Sequence, residues 1–141
     1  MNLKRMHSSS VVIEDNGVLI LGNSGCGKSD LALRLIDNGA TLISDDVSIC
    51  KKNLNNIYLH CPPEIKGLLE VREIGIITVP FVERIKLSLV VNLKNKINER
   101  FPEDNYFKIL GIKIPLITLD GKNSSAVAKI KVKLNEIRET I

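Results

Sequence analysis

Ile85, Leu87, Leu89, Val91 and Leu93 alternate with Lys86, Ser88, Asn92 and Lys94, broken only by Val90. A period of two predicts a β-strand with one buried and one solvated face. Ile112, Ile114 and Leu116 repeat the pattern, and Pro115, which cannot donate to a ladder, predicts an edge position or a strand end there. From Val127 to Leu134, Lys129, Lys131 and Lys133 alternate with Ala128, Ile130, Val132 and Leu134, which reads as a third strand with a wet lysine face. Gly17–Leu21 is instead a continuous apolar run, as expected of a buried strand. Asp30–Asp37 places Leu31, Ala32, Leu35 and Ile36 on one helical face, with Gly39 positioned as the glycine that ends the helix. Ala40–Ser44 is another short β-like run, and Pro62-Pro63 opens a short helical turn through Leu69. Asn95–Asn105, with Pro102, and Asp120–Ser125 are polar loops. One main helix among six or seven strands predicts a strand-rich α/β fold with some antiparallel pairing, not regular βαβαβ alternation.

Between the apolar strand and that helix stands Gly22-Asn23-Ser24-Gly25-Cys26-Gly27-Lys28-Ser29, which fits the phosphate-binding pattern G-x-x-x-x-G-K-[ST]. Its glycines let the backbone turn so that successive N–H groups face phosphate oxygens. Lys28 is then placed to neutralise the β and γ phosphates, and the Ser29 hydroxyl to ligate the Mg²⁺ riding on them. Strand, loop and helix in this order aim the helix N-terminus at an anion. Cys26 contributes backbone to the loop.

Asp45 and Asp46 follow the next β-like run, 17 and 18 residues past Lys28, enough for one helix, a tight turn and one strand. That strand is expected to return beside the P-loop strand and bring both carboxylates near the phosphates. Phosphoryl transfer needs metal positioning and an acceptor for the attacking hydroxyl's proton, and carboxylates supply both. Adjacent side chains leave a strand on opposite sides, so the two divide the work.

Composition narrows the class. At 141 residues and 44% apolar content the chain reads as one domain, able to bury roughly two-thirds of its unfolded surface without staples. No apolar run approaches the ~18 residues of a membrane span and no secretory signal stands at the N-terminus, so no membrane association is expected. Three cysteines (Cys26, Cys50, Cys61) without metal-ligand spacing fit a reduced cytoplasm. The net charge of +4 is dispersed and aromatics make up only 4%, which argues against nucleic acid and leaves an anionic nucleotide or protein partner. No Asn-Lys-x-Asp guanine-reading motif is present.

The order and spacing of several segments resemble the catalytic domain of the bacterial HPr kinase/phosphorylase family, especially short forms lacking its separate N-terminal domain. The family signature Glu-[IV]-Arg-Gly-[LI]-Gly-Ile-[IV]-x-Val is mirrored by Glu70-Val71-Arg72-Glu73-Ile74-Gly75-Ile76-Ile77-Thr78-Val79. The stretch Gly22–Asp46 is similar throughout, and Arg100-Phe101-Pro102, Ile109–Pro115 and Gly121-Lys122-Asn123 echo the C-terminal segments. The resemblance implies a single catalytic domain over residues 1–141 with the P-loop core of the HPr kinase and PEP carboxykinase type. It implies that Asp46 takes the proton from a protein serine, that His7 orients or tunes Asp46, and that Asp45 is a metal-side or structural partner. It further implies that Glu70 joins Ser29 on Mg²⁺ and that Arg100 stabilises the transferring phosphoryl group. Arg72, Gly75, Lys122 and Asn123 become accessory or substrate-side positions.

Three departures stand out. Glu73 occupies a position where the family usually has glycine, Lys122 replaces a common arginine, and Ser124-Ser125 lengthens that turn. The loop between Val79 and Arg84 is also short. In the family the first three positions bear on phosphorylase chemistry and subunit contact, and the short loop is expected to remove part of the surface that covers substrate in longer relatives. The expected activity is Mg²⁺- and ATP-dependent phosphorylation of an HPr-like phosphocarrier serine in the cytoplasm, with phosphorolysis and self-association left open. A non-catalytic ATP-gated regulatory module and a small-molecule kinase are the alternatives.

Overall fold

The computed structural model describes residues 2–95 and 105–139. Strands β1 (Leu3–His7), β2 (Ser9–Ile13) and β3 (Asn16–Gly22) lead into helix α1 (Lys28–Asp37). Strands β4 (Thr41–Ser44), β5 (Val47–Asn53) and β6 (Asn56–His60) follow, then a single 3-10 turn at Pro63–Ile65. Strands β7 (Leu68–Val71) and β8 (Gly75–Thr78) form a separate hairpin, and β9 (Ile85–Leu93), β10 (Asn105–Ile109), β11 (Ile112–Leu119) and helix α2 (Ala126–Glu139) complete the order.

Nine of these strands make one mixed sheet whose path runs β1-β5-β6-β9-β3-β2-β4. Strand β9 is the junction. It meets β6 antiparallel through Ile85 and Lys86, β3 in parallel through Leu87–Leu93, and β11 in parallel through Val90–Leu93. The β11 ladder to β9 begins at Leu116, one residue past Pro115, which pairs only with Tyr106 of β10. The missing N–H of Pro115 thus falls where a second ladder has not begun.

Both faces of the central strands are covered. Val18, Ile20, Leu89 and Val91 join Leu31 and Leu35 of α1 and Ile130 and Leu134 of α2 in one core. Leu19, Leu87 and Val90 pack into a second core with Ile43, Ile57, Leu59, Ile109 and Ile114. This two-sided burial explains the unbroken apolar run of β3, and it corrects the expectation that β9 has a solvated face. A register shift between Gly17 and Val18 sets Ser88 outside the ladder, so Leu87 faces one core while Leu89 faces the other.

Four further expectations change. The lysine-alternating segment is helix α2, not a strand: Ala126, Ile130 and Leu134 are buried four residues apart while Val132 is 65% exposed. Val127 and Ile137, partly buried on the same core, complete a helical stripe. Strand β4 does not lie beside β3, because β2 sits between them, paired antiparallel to each. A two-residue turn with φ of +46° at Glu14 and +68° at Asp15 folds β2 back onto β3 and fills that place first. The helical turn after Pro62 stops at Ile65, where the chain extends into β7. Eleven strands are present among the described residues, and several of the unpredicted ones have only four or five residues. No helix among the described residues is long and apolar enough to cross a membrane.

Candidate active site

The Gly22–Ser29 loop joins the end of β3 to the start of α1. Gly25 and Gly27 have φ of +84° and +89°, and a Cβ at either would meet no atom within 4 Å. Conformation, not space, therefore calls for glycine at both. Gly27 precedes α1 with no side-chain cap, so the first N–H groups of the helix stay available to an anion. Lys28 folds back across the loop, its Nζ donating to the carbonyls of Gly22 at 2.7 Å and Asn23 at 3.3 Å.

Asp45 sits behind this loop and is only 5% exposed. Its Oδ1 accepts hydrogen bonds from Ser9 Oγ and Ser29 Oγ, both at 2.7 Å, and its Oδ2 accepts from the Glu70 N–H at 3.1 Å. One carboxylate thereby ties together β2, α1 and β7. The Ser29 proton is committed to Asp45, which leaves the lone pairs of Ser29 Oγ free to face a cation.

Asp46 points the other way. Val47 N–H donates to the Asp45 carbonyl at 2.9 Å, closing a three-residue turn with Asp46 at its centre and φ +75°. That φ belongs to the rare, strained form of the γ-turn. The turn is held by Ser8 N–H on the Asp46 carbonyl at 3.1 Å and by Ser44 Oγ on the Val47 carbonyl. His7 pairs with Val47 in the β1–β5 ladder, which sets its Nδ1 3.7 Å from Asp46 Oδ1. Both side chains are open to solvent, at 82% and 75%, so Coulomb attraction between them is weak and proximity is what matters.

These groups share a cleft of about 820 Å³. Its walls are the P-loop backbone with Lys28 and Ser29, His7, Ser9 and Asp46 on one flank, Glu70, Val71, Arg72 and Glu73 from the β7–β8 hairpin, and Lys122. The hairpin turn carries an Ile74 N–H to Val71 O bond of 3.0 Å with Glu73 at φ +72°, the third position of a type II turn.

Of the residues marked from sequence, His7, Lys28, Ser29, Asp46, Glu70, Arg72 and Lys122 converge on the cleft, with Gly22, Asn23, Ser24, Gly25 and Gly27. Cys26 packs on the first core, and Asp45 supports the wall from behind. Gly75 pairs with Val71 across the hairpin and does not line the cleft. Asn123 does not face it either: its Oδ1 accepts from Ser125 N–H at 2.9 Å and Ser125 Oγ at 2.7 Å just before α2. Arg100 lies outside the described residues.

Ser9 and Arg34 were not singled out from sequence. Ser8, Ser9 and Ser10 are all buried, and three hydroxyls leading an apolar strand were the available signal that something polar waits inside. Arg34 reads from sequence only as the i,i+4 partner of Asp30, because its long-range partners are backbone carbonyls.

The donor set fits a hard cation. Ser29 and Glu70 both carry hard oxygen donors and both line the cleft, and Asp45 bonds each of them, the Ser29 hydroxyl through Oδ1 and the Glu70 backbone N–H through Oδ2. Away from the cleft, burial pushes the Cys50 thiol up to about 11. Burial also raises Cys61, which makes both unreactive at neutral pH. His60 is held below its ordinary value by burial and then by the charge of Lys51.

Residues 2–139 match the family model of the HPr serine kinase C-terminal domain. The HPr kinase/phosphorylase of Cupriavidus metallidurans is 34% identical over 148 residues, covering 94% of this chain and 46% of its own length. That of Malacoplasma penetrans is 34% identical over 151 residues, covering 92% of this chain and 50% of its own length. The chain thus spans about half the length of these curated relatives. The solved structure of the Hpr(Ser) kinase/phosphatase from Coxiella burnetii superposes with a TM-score of 0.83 at 30% identity, covering 97% of both chains. On the family model, which matches nearly the whole chain, and on these relatives, the chain belongs to the HPr serine kinase C-terminal domain family.

Proposed function

We propose that this domain is a Mg²⁺- and ATP-dependent protein-serine kinase acting on HPr or an HPr-like phosphocarrier of the phosphotransferase system in the cytoplasm. The observation that carries the reading is one cleft shared by Lys28, the uncapped start of α1, and Asp46 with His7 beside it. A nucleotide's phosphates match the first two, and an acceptor hydroxyl matches the third.

In the forward reaction the serine oxygen bonds to the γ-phosphorus as the bond to the β,γ-bridging oxygen of ATP breaks. The serine proton passes to an Asp46 carboxylate oxygen, and ADP leaves. Lys28 Nζ and the first N–H groups of α1 bear the phosphate charge. His7 constrains the Asp46 carboxylate, and Asp45 orients Ser29. Ser29 and Glu70 would hold Mg²⁺, which supplies charge neutralisation on the phosphates when bound. Arg100 is the further cation proposed for the transferring group. Protonated Asp46 is the donor in the reverse, phosphate-driven direction.

The deciding experiment is label transfer from γ-labelled ATP to purified HPr-family proteins with Mg²⁺. Label on serine with wild type, reduced about 10²–10⁴-fold by Asp46→Asn, supports the kinase and its base together. Mg²⁺-dependent ATP binding without transfer to any candidate returns the domain to a regulatory module.

A further inference from the structure

Arg34 lies on α1 and spends its guanidinium on a segment 87 and 89 residues away in sequence. Its Nη2 donates to the Gly121 carbonyl, its Nη1 to the Asn123 carbonyl at 3.4 Å, and its Nε to Asp30 Oδ2 at 3.1 Å. The two carbonyls flank Lys122, so one side chain clasps the peptide on both sides of the lysine that faces the cleft. Gly121 seats the same segment from below. A Cβ there would lie 2.9 Å from Leu93 Cδ1 and 3.4 Å from the Cys26 carbonyl, so the loop rests directly on the end of β9 and the P-loop. Lys122 N–H donates to Asp120 Oδ1 at 3.0 Å, which fixes the turn locally. Without Arg34, nothing among these bonds ties the turn to α1.

We propose that Arg34 is a positioning residue that clamps the Gly121–Asn123 loop to α1 and so presents Lys122 as a second cation, beside Lys28, for the phosphates of the bound nucleotide. The Lys122 role rests on the nucleotide reading above, while the clamp itself does not. A planar fork serves two carbonyls and a carboxylate at once, and an ammonium cannot reproduce that geometry. Arg34 then acts on phosphate binding only through Lys122, which makes the two residues energetically coupled.

A double-mutant cycle on the full chain reads that coupling, with Mg²⁺·ADP as the probe and calorimetric Kd as the readout. Lys122→Ala removes one charge-assisted phosphate contact and is expected to raise Kd about tenfold. Arg34→Met, which keeps the stem, should raise it roughly three- to tenfold, and Arg34→Lys should do nearly the same. The double variant should match Lys122→Ala alone. Multiplied losses in the double variant overturn the coupling and leave Arg34 a general structural residue. Amide hydrogen exchange over residues 120–125, without nucleotide, tests the clamp separately: it should quicken in Arg34→Met and stay unchanged in Lys122→Ala. Unchanged exchange in Arg34→Met overturns the clamp. A wild-type protein that binds no Mg²⁺·ADP overturns the nucleotide reading and the Lys122 role, while the exchange result still decides the clamp.

Discussion

Asp45 and Asp46 are neighbours with opposite mechanical roles, and a matched pair of asparagine substitutions should separate them. Asp45 is nearly buried and accepts three hydrogen bonds, two from hydroxyls and one from a backbone N–H. In Asp45→Asn one amide oxygen can still serve Ser9 and Ser29, but as a neutral acceptor. Each bond then falls from the roughly 1.5–3 kcal/mol typical of a charged partner to about 1 kcal/mol. The amide NH₂ must also face the Glu70 N–H, donor against donor. The two weakened bonds and the lost third one sum to a loss of at least about 2.5 kcal/mol, which for a domain of this size lowers Tm by roughly 8 °C or more. Asp46→Asn should leave stability within about 0.5 kcal/mol, since its side chain is open to water and asparagine tolerates positive φ as well as aspartate does. Urea denaturation followed by circular dichroism, with both variants and wild type in one buffer, measures the difference. Equal midpoints for wild type and Asp45→Asn would refute the view that this carboxylate holds β2, α1 and β7 together.

Other perturbations follow from particular residues. Glu73→Gly removes a side chain from a position with φ +72°; relief of roughly 1–2 kcal/mol of strain against about 0.5–1 kcal/mol of glycine entropy should raise stability slightly, and a lowered Tm would show that Glu73 makes a stabilising contact. Ile130→Ala should cost about 2–5 kcal/mol as a core truncation while Val132→Ala costs under about 0.5 kcal/mol, because only the former is buried; equal costs by denaturation would argue against the helical face assigned to α2. His60, lowered by burial and by Lys51 and Arg84 against the opposing Glu83, binds a proton more readily when unfolded. Its contribution to stability is therefore complete above about pH 6.5 and lost as pH falls through the folded value. His60→Gln should flatten that acid-side decline in a pH series of melts, and an unaltered slope would assign the decline to other groups.

The P-loop and α1 were legible because their determinants are contiguous. The helix ends as its sequence reads, with Gly39 N–H on Ile36 O and Ala40 N–H on Leu35 O, both at 3.0 Å, the paired bonds of a glycine-terminated helix. Helix α2 was misread because Ala126, Ile130 and Leu134 stand four apart, a spacing that satisfies period two and period 3.6 alike. The discriminating residues were Val127 and Ile137, which fit only the helix. In β9 the alternation was real but its phase was not constant, since Ser88 shifts the register and exchanges the faces of Leu87 and Leu89. Strand β2 went unrecognised as the neighbour of β3 because its buried serines look like loop residues until Asp45 and Ser48 supply their partners. Arg34 was beyond reach for another reason. A bond to a backbone carbonyl leaves no trace in the identity of the residue that accepts it.

The local backbone explains why two adjacent carboxylates have opposite surroundings, one buried and bonded, the other open to solvent. An ordinary strand would send them to opposite faces, yet that alternation alone would bury one of them in a core rather than beside a helix N-terminus. Here β4 stops at Ser44 and the chain kinks at Asp45–Asp46 before running on in the same direction as β5, so Asp45 keeps its inward direction while Asp46, at φ +75°, is lifted clear of the sheet. Such a conformation costs of order 1–3 kcal/mol and persists only where its surroundings over-determine it. The surroundings do so with Ser8 N–H on one carbonyl of the turn, Val47 N–H on another and Ser44 Oγ on a third. Those three bonds come from β4, β5 and the β1–β2 corner, which also delivers His7 and Ser9. The elements that pin the strained aspartate are therefore the ones that place its histidine neighbour and support the buried aspartate. Turn strain, the approach of His7 to Asp46 and P-loop support belong to one local arrangement.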